Sequence, residues 1–204
     1  MIDGKVLGID VSDWQDPCNF TAVKKAGYSF VYAKCTEGNN YTADTFKLKM
    51  QAADGAGLTF GAYHFMNWAQ SAYSQANYFL NTATYCYGDL MPMLDLEGQT
   101  GLAPKEAITK VQKWLDIIEE EISRKPAIYL SPSFWSDQLA STDQFNDYPL
   151  WLANYGVQSP PNLGEWKPML WQYTSKATVP GISGNIDADQ FFGTQEQLEA
   201  LKGR

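Results

Sequence analysis

The sequence predicts an α/β barrel, shortened relative to a complete (β/α)8 ring. Three observations carry this. Extended and helical patterns alternate through five successive units, which points to a parallel sheet. The helices then fade over the last third, where Pro-, Gly- and Asn-rich loops connect three more extended stretches. The 204 residues lie at the short end of what a barrel of this type needs.

In chain order, Val6–Val11 is the first strand, with Gly8, Asp10 and Ser12 on one face and Leu7, Ile9 and Val11 on the other. Asn19 caps a short helix that runs through Ala26 and stops at Gly27. Residues 30–35 form a second strand leading into Thr36-Glu37-Gly38, and 42–56 keep a helical period through Ala43, Phe46, Met50 and Ala53. Residues 58–65 make the third strand. Residues 71–84 make a helix with Tyr73, Ala76, Phe79, Leu80 and Ala83 on one side. Residues 90–98 supply the fourth strand. Pro104, a favoured first-turn residue, opens a long helix whose apolar face is Ala107, Ile108, Val111, Leu115, Ile118 and Ile122. Ala127–Leu130 is the fifth strand, followed by a short helix at 133–139. Extended stretches at 150–155, 169–173 and Ile186–Phe191 precede a last helix at 194–202. No repeat or long linker splits the chain, so residues 1–204 form one domain.

Composition narrows the function. Hydrophobic residues are 45% and charged residues 19%, which is globular. A net charge of −8 argues against nucleic acid as a partner, since phosphate binding needs clustered Lys and Arg. No apolar run is long enough to span a membrane, and the acidic surface gives no attraction to anionic ones. No N-terminal signal peptide is visible. Three cysteines, Cys18, Cys35 and Cys86, allow at most one disulfide, and they read as free, buried thiols. Some of the 7 Trp, 12 Tyr and 10 Phe must line the core, but that many also suits a cleft that stacks sugar rings or other flat ligands.

The chemistry concentrates in residues 90–98, an apolar run broken by Asp95 and Glu97. On a strand these point the same way, and burial plus mutual repulsion raises the pKa of one of them. That is how one carboxylic acid stays protonated beside an ionised neighbour. A metal-ligand pair, or acids that cap the next helix, is the alternative. Polar breaks also fall at other predicted strand ends: Asp10, Thr36-Glu37, His64, Asn154, Gln172 and Asp187. In a barrel these ends share one rim. A glycosidase needs a protonated carboxyl for the leaving oxygen and a negative group near the cationic sugar. His64 is the single histidine, which disfavours zinc chemistry and suits a structural hydrogen-bonding role. No Gly-x-Ser-x-Gly turn and no phosphate loop is present, and no cofactor is implied.

The residues resemble the family 25 glycoside hydrolases, the Chalaropsis-type lysozymes that include many phage endolysins. The matching pieces are Gly8-Ile9-Asp10-Val11-Ser12 with Trp14-Gln15, Ala33-Lys34-Cys35-Thr36-Glu37-Gly38, Tyr63-His64-Phe65 and Leu94-Asp95-Leu96-Glu97. Trp151-Leu152-Ala153-Asn154-Tyr155, Trp171-Gln172-Tyr173 and Gly184-Asn185-Ile186-Asp187 complete the ordered set. The resemblance implies a flattened TIM-like barrel of (β/α)5(β)3 pattern. It also implies hydrolysis of the β-1,4 bond between N-acetylmuramic acid and N-acetylglucosamine in peptidoglycan glycan strands.

By the resemblance, Glu97 is the general acid and Asp95 steadies the substrate acetamido group. Asp10 and Asp187 complete the acidic floor, and Tyr63, Trp151, Tyr155 and Gln172 face substrate. The chain departs from the family pattern at Asp189, where the family often carries Asn. Retention of anomeric configuration is expected, by a covalent carboxylate intermediate or, as the resemblance favours, by the substrate's acetamido oxygen. A non-catalytic glycan-binding barrel and a metal-dependent hydrolase are the competing classes. The charge predicts repulsion from anionic walls at low salt, or reliance on a separate wall-binding module outside this chain. A phage or prophage endolysin released through another protein's pore fits the missing leader, as does a secreted enzyme whose leader has been removed.

Overall fold

The structure is a computed structural model and describes residues 4–83 and 89–203. The elements run β1 (Val6–Val11), α1 (Phe20–Lys25), β2 (Phe30–Glu37), β3 (Tyr41–Thr42), α2 (Phe46–Ala56), β4 (Thr59–Phe65), α3 (Ala72–Thr82) and β5 (Met93–Asp95). They continue with α4 (Pro104–Ile122), β6 (Ala127–Leu130), α5 (Pro132–Gln138), β7 (Leu150–Ala153), β8 (Pro168–Ala177), β9 (Ile186–Phe191) and α6 (Gln195–Ala200). The strands pair in the order β1-β9-β8-β7-β6-β5-β4-β2, and β1 also pairs with β2, so eight strands close into a barrel. β3 sits outside the ring as an antiparallel partner of β2.

Two differences from the sequence reading have physical causes. The stretch at 42–56 is not all helix. Gly38 (φ 57°) turns the chain, Tyr41 and Thr42 pair back on β2, and α2 starts only at Phe46. And β9 runs antiparallel to both β8 and β1, whereas every other pair in the ring is parallel. Between β8 and β9 no helix crosses over, and an antiparallel partner needs no long crossover connection. The reversal matters for the site. It puts the N-terminal end of β9 on the rim where the parallel strands end, and pairs Asp187 with Asp10.

The residue alternation sorts the apolar side chains into two layers. Val6, Phe30, Tyr32, Met93, Trp151, Leu170 and Phe191 fill the barrel. Ile9, Val31, Phe60, Leu94, Ile128 and Leu152 face outward against Val23, Ala53, Phe79, Val111, Leu115 and Ile118 of the helices. On α4 the buried face is Ala107, Val111, Trp114, Leu115 and Ile118; Ile108 and Ile122 are only half-buried, and Trp114 takes the central place. Inside the barrel, a Cβ at Gly8 would overlap the Phe30 ring and one at Gly61 the Tyr32 ring, so the large rings fit because their cross-strand neighbours have no side chain. Cys35 is a buried free thiol, but Cys18 is half-exposed, and Cys86 lies outside the described residues, as does the end of the predicted 71–84 helix.

Candidate active site

The inward face of each strand changes from apolar to polar toward the rim. Asp10 is the last but one residue of β1, β4 carries Tyr63, β5 ends on Asp95, β6 carries Tyr129, β8 carries Gln172 and Asp187 is the second residue of β9. These side chains, with Ser12, Trp14, Lys34, Met93, Glu97 and Tyr155, line one cleft of about 250 Å³. A groove of about 610 Å³ shares Glu97, Tyr129 and Tyr155 with it and continues over Ser131, Phe134 and Asn154. A separate hollow of about 470 Å³ lies on the outer face between α3 and α4. Its lining of Tyr73, Lys105, Glu106, Lys110 and Lys113 holds no carboxylate pair.

Asp95 and Glu97 differ sharply in setting. Asp95 is 7% exposed, at the end of β5, and its Oδ1 has no hydrogen-bond partner among the described residues. Burial first, then the charges of Glu97 and Asp10, push its carboxyl well above the usual carboxylate range. Glu97 lies beyond β5 and is exposed. Its backbone is nevertheless fixed. The Trp68 indole donates to the Glu97 carbonyl at 3.0 Å, and Trp68 stacks on Phe134. Gly98 (φ 73°) then turns the chain away from the barrel.

Asp10 and Asp187 face each other across the β1–β9 pair. Burial, with Asp187 and Glu97 nearby, raises the Asp10 carboxyl well above its ordinary value. Burial and Glu97 raise Asp187 to about 6. Gln172, 3% exposed, ties the floor to the wall: its Nε2 donates to Asp10 Oδ2 at 2.7 Å, and its Oε1 accepts from Tyr129 Oη at 2.8 Å and from Tyr155 Oη. Lys34 pairs with Glu37 and lies over the Phe65 ring, so it is an ion-pair partner as well as part of the cleft wall.

Seven of the eight expected site residues therefore share one cleft: Asp10, Asp95, Glu97, Asp187, Tyr63, Tyr155 and Gln172. Trp151 does not. It is fully buried in the barrel, edge-on to Tyr32, and its Nε1 donates to Asp189 Oδ1 at 3.0 Å. Trp151 pairs in register with Tyr129 and shares its inward face, but its side chain packs into the barrel interior instead of the cleft. His64 faces the other way. Its Nε2–H donates to Gln75 Oε1 at 3.2 Å, its Nδ1 accepts from Thr36 Oγ1 at 2.7 Å, and its ring stacks on Trp114. Burial lowers its pKa to about 4, so it is a neutral structural imidazole. No group of three His, Cys, Asp or Glu side chains suited to a metal ion occurs among the described residues.

A barrel with a carboxylate-lined rim and one buried, one open acid two residues apart fits the sequence profile of the glycosyl hydrolases family 25, which matches residues 9–182. The chain belongs to that family. It is a glycoside hydrolase. Lysozyme M1 of Streptomyces globisporus is 34% identical over 213 aligned residues, covering 96% of this chain and 71% of that protein. An N,O-diacetylmuramidase of Chalaropsis sp. is 31% identical, covering 89% of this chain and 96% of that protein. The crystal structure of a bacterial lysozyme from Streptomyces coelicolor superposes with a TM-score of 0.94 at 33% identity, covering 98% of both chains.

The sequence reading missed Tyr129 and Trp14 as parts of this family 25 cleft. Tyr129 had a signal: it pairs with Asp95 in register and alternates with Ala127 on the inward face. Trp14 had a subtler one. Ser12 and Gln15 form a capping box around a single turn, Asp13–Gln15, which lifts Trp14 to 91% exposure at the mouth of the cleft.

Proposed function

We propose that this glycoside hydrolase is a retaining 1,4-β-N-acetylmuramidase that cleaves the bond from N-acetylmuramic acid to N-acetylglucosamine in peptidoglycan. The observation that carries the reading is the Asp95 carboxyl: buried, with one oxygen unpartnered, beside an exposed Glu97. An acetamide N–H seated on that oxygen satisfies it. The neighbouring acetamido carbonyl oxygen is then directed at C1 of the same sugar.

In this mechanism Glu97 gives its proton to the glycosidic oxygen as the C1–O bond breaks, and the acetamido oxygen bonds to C1. The N-acetylglucosamine leaves with a free 4-hydroxyl. Water then attacks C1, the bond to the acetamido oxygen breaks, and Glu97 takes the proton that water loses, so configuration is retained. Asp95 accepts the acetamide N–H, and the positive charge of the cyclic intermediate offsets the burial that raises its carboxyl in the free protein, so that Asp95 balances that charge as its anion. Tyr63, Tyr129 and Tyr155 flank the sugar, Gln172 and Asp10 hold the floor, and Trp14 offers a flat apolar face at the mouth. The site of action is the bacterial wall, reached by release from a lysing cell or by secretion.

The test is turnover of purified peptidoglycan, followed by release of reducing ends, with Glu97→Gln. The variant loses at least about 10²-fold, the usual worth of a positioned acid. Turnover near that of the parent protein rejects the assignment, and no release by the parent protein rejects the enzyme in favour of a glycan-binding barrel.

A further inference from the structure

Asp189 is not explained by the chemistry above. It is fully buried on β9, one layer below the cleft floor. It pairs with Gly8 on β1 and with Gln172 on β8, so it lies diagonally next to Asp10. Its Oδ1 accepts from Trp151 Nε1 at 3.0 Å. Its Oδ2 is also buried, and no N–H or hydroxyl donor among the described residues reaches it. The carboxyl that Asp189 meets is that of Asp10, its diagonal neighbour across the β1–β9 pair, and the two groups interact. Two ionised carboxylates in that position have only acceptors to offer each other. One proton between them turns the contact into a hydrogen bond.

The surroundings decide which residue holds the proton. Asp10 touches the water of the cleft and already accepts the Gln172 amide N–H, both of which favour its anion. Asp189 is sealed from water, and its one N–H bond, from Trp151, goes to the oxygen that a carboxylic acid keeps as C=O. We propose that Asp189 is a positioning residue held as a neutral carboxylic acid, whose Oδ2–H donates to Asp10 and fixes that carboxylate on the cleft floor. It works as an uncharged donor inside a cluster that already holds Asp10, Asp95, Glu97 and Asp187. Burial and the charges of Asp10 and Asp187 push its carboxyl well above the usual range. The other titratable groups that sense it are Tyr28, Tyr32 and Tyr173, all phenols that stay neutral through the acid and neutral range because burial raises them too.

Asn is the diagnostic replacement. Its Oδ1 still accepts from Trp151 and its Nδ2–H still donates to Asp10, without a titrating proton. Asp189→Ala removes the donor. The activity arm rests on the muramidase reading: Asp189→Ala lowers peptidoglycan turnover at least tenfold, and Asp189→Asn recovers it to within about threefold of the parent protein. The thermal arm needs no substrate. An acid whose folded pKa is raised loses stability as pH climbs from its unfolded value of about 3.9 toward the folded one. The Tm of Asp189→Asn minus that of the parent protein therefore widens by several degrees between about pH 4 and pH 7. A Tm difference that is flat with pH, or a failure of Asn to restore turnover where Ala loses it, overturns the proposal. If the Ala variant does not fold, the pH dependence of the Asn variant decides alone. If no variant has activity but the widening is present, the protonation state stands and the muramidase reading fails.

Discussion

The buried imidazole of His64 makes stability depend on pH in a way that one substitution isolates. Desolvation lowers its pKa from the ordinary 6.5 to about 4. At about 1.36 kcal/mol per pH unit, that gap amounts to about 3 kcal/mol. The sign follows from which state takes the proton first. The unfolded imidazole protonates below about pH 6.5, while the folded one stays neutral until about pH 4. The contribution is therefore complete above pH 6.5 and is lost as pH falls through the folded value. The geometry agrees, because Gln75 Oε1 can only accept from Nε2–H, and Asn67 N–H already occupies the same oxygen at 2.8 Å. Replacing His64 with Gln abolishes the titration and leaves a polar side chain of similar reach. Urea unfolding of both proteins gives the free-energy difference at each pH. Loss of the Thr36 and Trp114 contacts appears as a constant offset. On top of it, the advantage of the parent protein shrinks by about 3 kcal/mol between about pH 7 and pH 4. A difference that does not change with pH refutes a neutral, desolvated His64.

Three further outcomes follow from the same geometry. Asp187, raised to about 6 by burial and Glu97, costs stability once pH exceeds its unfolded value, so Asp187→Asn gains about 1 kcal/mol at neutral pH in urea titrations, a figure reduced because the carboxyl is partly open to the cleft. Its peptidoglycan turnover falls, the exchange of stability for activity expected on a cleft floor. Gly61→Ala drives a methyl into the Tyr32 ring and lowers the free energy of unfolding by about 1–3 kcal/mol, measured by denaturant midpoint. Trp14→Ala, at a 91% exposed position, leaves the free energy of unfolding within about 0.5 kcal/mol of the parent protein but raises KM for peptidoglycan.

The barrel was legible because its periodicities are local. Alternation along 6–11 and 127–130 gave β1 and β6 to the residue, and Pro104 with the period through Ile118 gave α4. The hairpin of β3 on β2 was not, since a turn at Gly38 followed by two paired residues leaves no period to read. Within α4, Trp114 carried no stronger local mark than Ile108. It is buried because it fills the space over His64 and Phe79, which come from β4 and α3.

The site divides in the same way. The sequence alone determined which residue types stand at strand ends, and so placed Asp10, Asp95, Glu97, Gln172 and Asp187 together, because parity and a closing sheet leave polar ends one common rim. Only the tertiary structure decided depth and exposure. It buried Trp151 and Asp189 below that rim, turned His64 outward, left Glu97 open and Asp95 covered, and reversed β9 so that Asp187 meets Asp10 from the opposite chain direction. Side-chain direction is a property of one strand. How far each side chain stands from water, and which acid is its neighbour, depends on register between strands distant in sequence, and that register exists only once the ring has closed.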